Sequence, residues 1–393
     1  MAWVEQRGNR SWRVRYRRED DTIGSVNGFP TKAAATDHAN TLESDQPEGR
    51  FIDPAAGKIT VNEWTQDWLQ ALDVAIRTED FYRSLLRRHI LPRWGEHGLV
   101  DVSGIKAAAW AKDLRTAGYA AVTVASVMKL LSLLLADAAE ERLIPANPIR
   151  ARHRGRRRSE QRPERIWATP AEVLAVADNA ASIPVWGPGA AMLIVTAGWT
   201  GARWGELAGL QRHNTHLDDG YIVIDPHIGA VVESSRGVEL APPETAESAR
   251  TITLPPFLIE LLRAHLATDT HRFVFVSPRG EMHRPSNFGR RALNPAVNGT
   301  LDQARPLVRL EPAKPGLTFH GLRNGHKTWM IADGVPEVAQ ARRLGHILGD
   351  RIQETYSHVA AEVEARLLYG LQDRWLKAVA DSPLQPPWRE TPT

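Results

Sequence analysis

The sequence predicts a mainly α fold with small β-sheets, divided among several domains. Three observations predict it. Helical periodicity runs from Thr60 to Pro148 and again from His320 onward. Short β-rich runs occur only near the N-terminus and in the middle of the second half. An arginine-rich stretch with almost nothing apolar, 150–165, divides the two halves. At 393 residues the chain is long for one domain and suggests two or three. An apolar fraction of 42% is ample for packed cores.

The chain opens with W-V-E-Q-R-G-N-R-S-W-R-V-R-Y-R-R. Trp12, Val14 and Tyr16 alternate with Arg13, Arg15 and Arg17, which is strand periodicity with one basic face. Gly8-Asn9 and Asp20-Asp21 mark turns on either side, and I-G-S-V-N-G-F could close a small sheet. Thr31 reads as the N-cap of a helix running to about Leu42. Residues 1–54 therefore form a β-β-β-α module ending in the linker Phe51-Ile52-Asp53-Pro54. Its interleaved arginines and aromatics suit a nucleic acid. An ordinary amphipathic hairpin with a solvated basic face is the plainer alternative.

Residues 58–149 read as an all-α domain. Val61, Trp64, Trp68 and Leu69 share one helix face, and F-Y-R-S-L-L-R-R-H-I-L-P begins a helix expected to end before Pro92. Val122 to Leu143 gives a long helix with Val127, Leu130, Leu131, Leu134 and Leu135 on the buried side. Arg83, Arg87 and Arg88 could track a DNA backbone, although charged exposed helix faces are common. The stretch 150–165 holds eight arginines, among them Arg154, Arg156, Arg157 and Arg158. It cannot form a core, and as a bridge between two DNA-binding bodies it would lie along phosphates.

The last large domain runs over 166–380. Thr169-Pro170 followed by Glu172 caps a helix, and Met192 to Thr200 is a buried helical run ending near Gly201. Y-I-V-I-D, R-T-I-T-L and F-V-F-V-S are β-rich runs between turns. The tail, 381–393, is Pro-rich and expected to be disordered.

Net charge is only +3, but 41 of the 49 basic residues are arginines. Arginine favours bidentate phosphate contacts, and a codon bias would give the same excess. The absence of cysteine excludes disulfides and cysteine-ligated zinc. Residues 1–20 lack an apolar core, so no signal peptide is expected. The longest apolar stretch, Ala190 to Trp199, is too short to span a bilayer.

Five residues carry most of the chemistry. They are Arg203 in T-G-A-R-W-G-E-L, His320 and Arg323 in H-G-L-R, His346 in L-G-H, and Tyr356 in E-T-Y-S-H. Two guanidiniums can clamp the non-bridging oxygens of a phosphodiester bidentately. Imidazoles can donate hydrogen bonds or move protons near neutral pH. A phenol can attack phosphorus if positive surroundings lower its pKa from about 10.

This order resembles the tyrosine recombinase family, the phage-type integrases that cut and rejoin DNA, with the nearest look to integrases of actinobacterial phages and integrative elements. The resemblance covers nearly the whole chain. It implies an arm-type DNA-binding module, a SAM-like core-binding domain and an α+β catalytic domain. Arg203 matches the first family arginine, and Glu206 the acidic residue that buttresses it. His320 and Arg323 match the H-x-x-R box, His346 the third-box histidine, and Tyr356 the nucleophile. The resemblance also implies a 3′-phosphotyrosine intermediate made without metal, ATP or cofactor. The partners implied are double-stranded DNA attachment sites, further copies in a tetramer on DNA, and an excision directionality factor or host DNA-bending protein, with no membrane. The place implied is the cytoplasm, on the nucleoid. Val359, Val363, Leu367, Leu371 and Trp375 look like the segment that docks on a neighbouring protomer.

One departure matters. The family places a catalytic lysine in a P-K-T-like segment before a strand, and here P-P-E-T-A-E-S-A-R-T-I-T-L-P puts Glu244 there. No lysine occurs between Lys129 and Lys314. Either Arg250, Arg236 or Lys314 substitutes, or the enzyme is slow. The alternative function is a sequence-specific DNA-binding protein with impaired or lost cleavage. A metal-dependent nuclease is a weaker alternative, since His213 and His216 have no H-E-x-x-H or carboxylate triad with them.

Overall fold

The computed structural model describes residues 2–8, 11–17, 21–45, 53, 56–149, 164–346, 359–382 and 386–389. The chain divides into two compact units, Met1–Ser159 and Glu160–Thr393.

The first unit begins with three antiparallel strands, β1 (Ala2–Gln6), β2 (Trp12–Arg17) and β3 (Ile23–Phe29), in the order β1-β2-β3. Period-two alternation sends Val14 and Tyr16 inward, against Ala35, Ala39 and Leu42 of helix α1 (Lys32–Asp45). Thr31 accepts a 3.2 Å bond from the Ala34 N–H at the start of that helix. The outward arginines are less available than alternation alone suggests. Arg13 and Arg15 both pair with Glu5, and Arg17 with Asp21.

Five helices follow: α2 (Val61–Ala71), α3 (Ile76–Leu85), α4 (Leu91–Trp94), α5 (Gly104–Thr116) and α6 (Ala121–Glu140). A Thr60–Glu63 capping box starts α2. The long helix α6 buries Val127, Leu130, Leu131, Leu134 and Leu135, and receives the indole N–H of Trp64 at Leu134 O and of Trp68 at Asp137 Oδ2. Among the described residues α6 alone has the length and hydropathy of a membrane span, yet its apolar side is the core of this unit.

The expected stop before Pro92 does not occur. The chain stays helical through a π turn, Leu86–Ile90, in which the Leu91 N–H reaches back to Leu86 O. The wider turn keeps the proline ring clear of the preceding carbonyls and absorbs its missing donor. The second unit repeats this device. A π turn at Gly289–Leu293 precedes Pro295, with the Asn294 N–H on Gly289 O.

In the second unit, α7 (Pro170–Ala181) opens on the Thr169–Glu172 capping box. Helix α8 (Gly187–Thr200) is apolar all round and buried from Ala190 to Thr200, so it lies at the centre. After α9 (Trp204–Ala208), strands β4 (Thr215–His216), β5 (Tyr221–Ile224) and β8 (Arg250–Thr253) form an antiparallel sheet. A separate hairpin, β6 (Ala230–Ser234) and β7 (Gly237–Ala241), is inserted between β5 and β8. F-V-F-V-S forms no strand. Phe273 makes one bridge to Gln211, while Val274 and Phe275 enter the core. Burial of an apolar run, not sheet pairing, explains its composition.

Helices α10 (Pro256–Ala267), α11 (Pro285–Phe288), α12 (Asn294–Asn298), α13 (Phe319–Ala332) and α14 (Glu337–Leu344) complete the body with a C-terminal helix, Ala361–Ala380. Trp199 of α8 meets Phe257, Trp329 and Trp375 edge-on, and its indole N–H donates to Leu371 O at 3.0 Å. Residues 386–389, within the tail expected to be disordered, form a short turn. There the Trp388 indole and Arg389 guanidinium bind the buried carboxylate of Asp178.

Trp199 joins three helices through one side chain. Trp199→Ala is expected to lower the unfolding free energy by about 3–5 kcal/mol, read from the urea midpoint. A loss below about 1 kcal/mol would mean the C-terminal helix docks without it.

Candidate active site

Four segments far apart in sequence meet at the C-terminal end of α8. The last carbonyls of a helix lack intrahelical partners and favour positive charge. Here side chains from α13 and α14 supply the donors. His326 donates to Gly198 O at 3.0 Å, Arg343 Nη2 to Trp199 O at 3.1 Å, and Arg323 Nη1 to Gly201 O at 2.6 Å. Gly201 closes the helix at φ +65°. A Cβ there would lie 2.7 Å from Leu344 Cδ2 and 2.8 Å from His326 Cδ2, so only glycine fits.

Two residues on, Arg203 is the N-cap of α9. Its backbone N–H donates to Glu206 Oε2 at 2.8 Å, while its Nη1 donates to Glu206 Oε1 at 2.9 Å and Ser248 Oγ at 3.0 Å. Its Nη2 donates to Gly345 O at 3.1 Å. Three of its five N–H groups are thus occupied, and the side chain remains 24% exposed. Glu206 is only 2% exposed and also receives both terminal nitrogens of Arg250, at 3.0 and 2.9 Å. Burial pushes its pKa up, but bonds from Arg250 and Arg203 and the Arg250 charge hold it below the usual range.

Arg323 is nearly fully buried. Its Nη2 donates to Leu344 O at 2.5 Å and meets His346 Nε2 at 2.8 Å. A guanidinium can only donate, so His346 Nε2 accepts and its ring proton sits on Nδ1. The same reasoning holds for His326, whose Nε2 accepts from Arg343 Nε at 2.8 Å. Burial, then the charges of Arg323 and Arg203, push His346 down to about 4. Burial and Arg203 bring Arg323 down to about 9, still cationic at neutral pH. His320, exposed on the first turn of α13, is lowered by burial and by Arg323, Arg165 and Arg203.

The site therefore brings together Arg203, Glu206, His320, Arg323 and His346. The surplus of guanidiniums over carboxylates gives it a positive field of the kind that suits an anion. Glu244 lies exposed in the segment after β7, and its neighbour Thr245 bonds the same Ser248 Oγ that Arg203 uses. Of the residues considered as lysine substitutes, Arg250 is locked by Glu206, Ser248 O and Arg343 O, and Lys314 pairs with Glu172 at 2.8 Å. Arg236 is exposed in the β6–β7 turn. Tyr356, Arg154, Arg156, Arg157 and Arg158 lie outside the described residues. Arg13, Arg15, Arg17, Arg83 and Arg87 belong to the other compact unit; Arg83 pairs with Glu79 at 2.7 Å and Arg87 is exposed. Among the described residues no three metal-ligating groups cluster.

Sequence reasoning missed His326, Arg343 and Ser248. His326 stands three residues after Arg323 and shares its helix face, which was a legible signal. Arg343 and Ser248 gave none, because their partners are distant in sequence.

Residues 167–362 match the model of the phage integrase family. The integrase of Mycobacterium phage L5 is 26% identical over 310 residues, covering 76% of this chain and 76% of that protein. A putative prophage phiRv2 integrase of Mycobacterium tuberculosis is 25% identical over 293 residues, 72% of this chain and 70% of that protein. Among solved structures, the Tn1549 transposon integrase with a circular intermediate DNA matches with a TM-score of 0.60 at 18% identity, over 79% of this chain and 99% of that one. A lambda integrase tetramer bound to a Holliday junction matches with a TM-score of 0.52 at 18% identity, over 90% of this chain and 94% of that one. At such identity the structural likeness is one of fold.

Three imidazoles with lowered pKa values, two of them buried, make stability depend on pH. His346 and His283 fall to about 4 from 6.5, His283 through burial alone, and His326 lies well below 6.5. Between these values the unfolded chain takes up protons that the folded chain refuses. Their contribution is complete above about pH 6.5 and is lost as pH falls toward 4. The urea midpoint is expected to drop between about pH 7 and about pH 5, and His283→Phe should shrink the drop. Equal pH dependence in the two proteins would remove His283 from this account.

Proposed function

This chain belongs to the phage integrase family of tyrosine recombinases, which are DNA strand-transferring enzymes, and from that membership we propose that it recombines double-stranded attachment sites through a 3′-phosphotyrosine intermediate. One observation carries the reading. Arg203 and Arg323, more than a hundred residues apart, bind the consecutive residues Leu344, Gly345 and His346. That arrangement aims two fixed guanidiniums and a neutral imidazole at one place.

The proposed chemistry rests on these groups. The non-bridging oxygens of a scissile phosphate bind the free N–H groups of Arg203 and Arg323. Displacement adds charge to those oxygens, and donors already fixed in place stabilise it without reorganising. His346, with its proton on Nδ1, donates a further hydrogen bond, as does His320. The Tyr356 oxygen forms a bond to phosphorus as the bond to the 5′-oxygen breaks. The phenol proton leaves, and the 5′-oxygen gains one. Attack by a 5′-hydroxyl from another strand reverses the step, so no external energy source is needed. Since the lambda integrase was solved as a tetramer on a Holliday junction, we infer the same assembly here, on nucleoid DNA in the cytoplasm.

A second reading is a DNA-binding protein with weak or lost cleavage, favoured by Glu244. A carboxylate stands where the family places a lysine, and of the three basic residues weighed as substitutes Arg250 and Lys314 are held by other partners. General acid catalysis is worth roughly 10²–10⁴-fold.

On a duplex carrying the mapped attachment site, nicked to trap cleavage, wild type is expected to form a covalent adduct. Tyr356→Phe should abolish the adduct while binding stays within about threefold. Adduct formation by the Phe variant would place the nucleophile elsewhere, and its absence in wild type would favour the second reading.

Glu244→Lys is expected to raise cleavage by about tenfold or more. A substrate with sulfur at the bridging 5′ position, which leaves without protonation, should rescue wild type equally. No acceleration by that substrate would sink the missing-acid account.

A further inference from the structure

The outer face of the N-terminal sheet carries two transverse rows of side chains. Register places Glu5, Arg13 and Asn27 side by side, and Trp3, Arg15 and Ser25 beside them. The opposite face carries Val4, Val14 and Val26 and packs on α1. Within the outer face Glu5 is the hub. Its Oε2 accepts from Arg13 Nε at 2.9 Å and Nη2 at 2.6 Å. Its Oε1 accepts from Trp3 Nε1 at 2.9 Å and Arg15 Nη1 at 3.4 Å. Arg15 also sits 5.9 Å from the centre of the Trp3 ring. Bonds from Trp3 and then Arg13 hold the Glu5 carboxyl down to about 2, so the charge is present at any working pH.

We propose that Glu5 is the specificity-determining residue of this face: it neutralises and orients Arg13 and Arg15 so that the sheet reads base edges in a major groove instead of gripping phosphates. This rests on the reading that the N-terminal module touches DNA. A surface guanidinium free to swing binds any phosphate, which adds affinity without sequence information. A guanidinium tied to a carboxylate has less to gain from phosphate, yet its remaining N–H groups still fit guanine O6 and N7. Asn27, exposed beside Arg13, has the donor and acceptor that adenine requires. Three strands about 4.8 Å apart make a face that enters a groove about 12 Å wide. The carboxylate itself repels backbone phosphates and so penalises every register in which bases are not engaged.

The test uses the full-length protein. Duplexes are selected from a random library by wild type, and those lost with an Arg13→Ala/Arg15→Ala double variant are kept as sites of the sheet. Shuffled versions serve as controls. Glu5→Gln keeps an acceptor but removes the charge. It is expected to bind shuffled duplexes about fivefold more tightly, with a salt slope steeper by about 0.9. Its preference for selected over shuffled duplexes should fall about tenfold. Glu5→Asp keeps the charge but withdraws it from Trp3 and Arg15. It should lose preference without gaining affinity for shuffled DNA. If Glu5→Gln leaves both the preference and the shuffled affinity unchanged, the proposal is overturned although the module still binds DNA. If the double variant selects the same duplexes as wild type, the DNA reading of the sheet fails first.

Discussion

The carboxylate of Glu206 lies between two guanidiniums, and the candidate site of the second unit is organised around it. Four N–H groups reach its two oxygens, one from the Arg203 backbone, one from the Arg203 side chain and two from Arg250. Without that charge, Arg203 and Arg250 would face one another in a water-poor site. With it, the first turn of α9 is tied to strand β8, and through Arg250 Nε to Arg343 O, to the end of α14. Removing one partner of such a buried arrangement costs about 3–5 kcal/mol, because the other charge is left uncompensated.

The carbonyls at the end of α8 are the other half of the frame. Three side chains bind them, and two of those side chains also touch a histidine. Each imidazole must then be neutral, since each accepts from an arginine. The frame thus fixes tautomers as well as positions.

The two units use arginine in opposite ways. Glu5 and Asp21 pair with the three arginines of β2, whereas at the candidate site buried Glu206 pairs with Arg203 and Arg250 and makes no ion pair with Arg323. The same residue type is therefore paired on an exposed sheet face in one place and held against backbone carbonyls in the other. Which role it takes depends on the nearest carboxylate.

By itself the sequence determined what is local. The capping box at Thr169, the buried face of α6, the alternation of β2 and the glycine closing α8 were all legible, because each depends on residues within one or two turns. The set Arg203, Glu206, His320, Arg323 and His346 was legible as a pattern of spacings, and the structure brings these residues together. Tertiary structure alone decided the rest. It carried the helix past Pro92 by a π turn, took F-V-F-V-S into the core without a strand, and paired Arg13 and Arg15 with a glutamate across the sheet. It also joined Arg250 to Glu206 and Arg343 to His326. Apart from the π turn, which is a local accommodation of Pro92, the deciding partner lies on another element or the deciding force is burial, and neither leaves a periodicity to read.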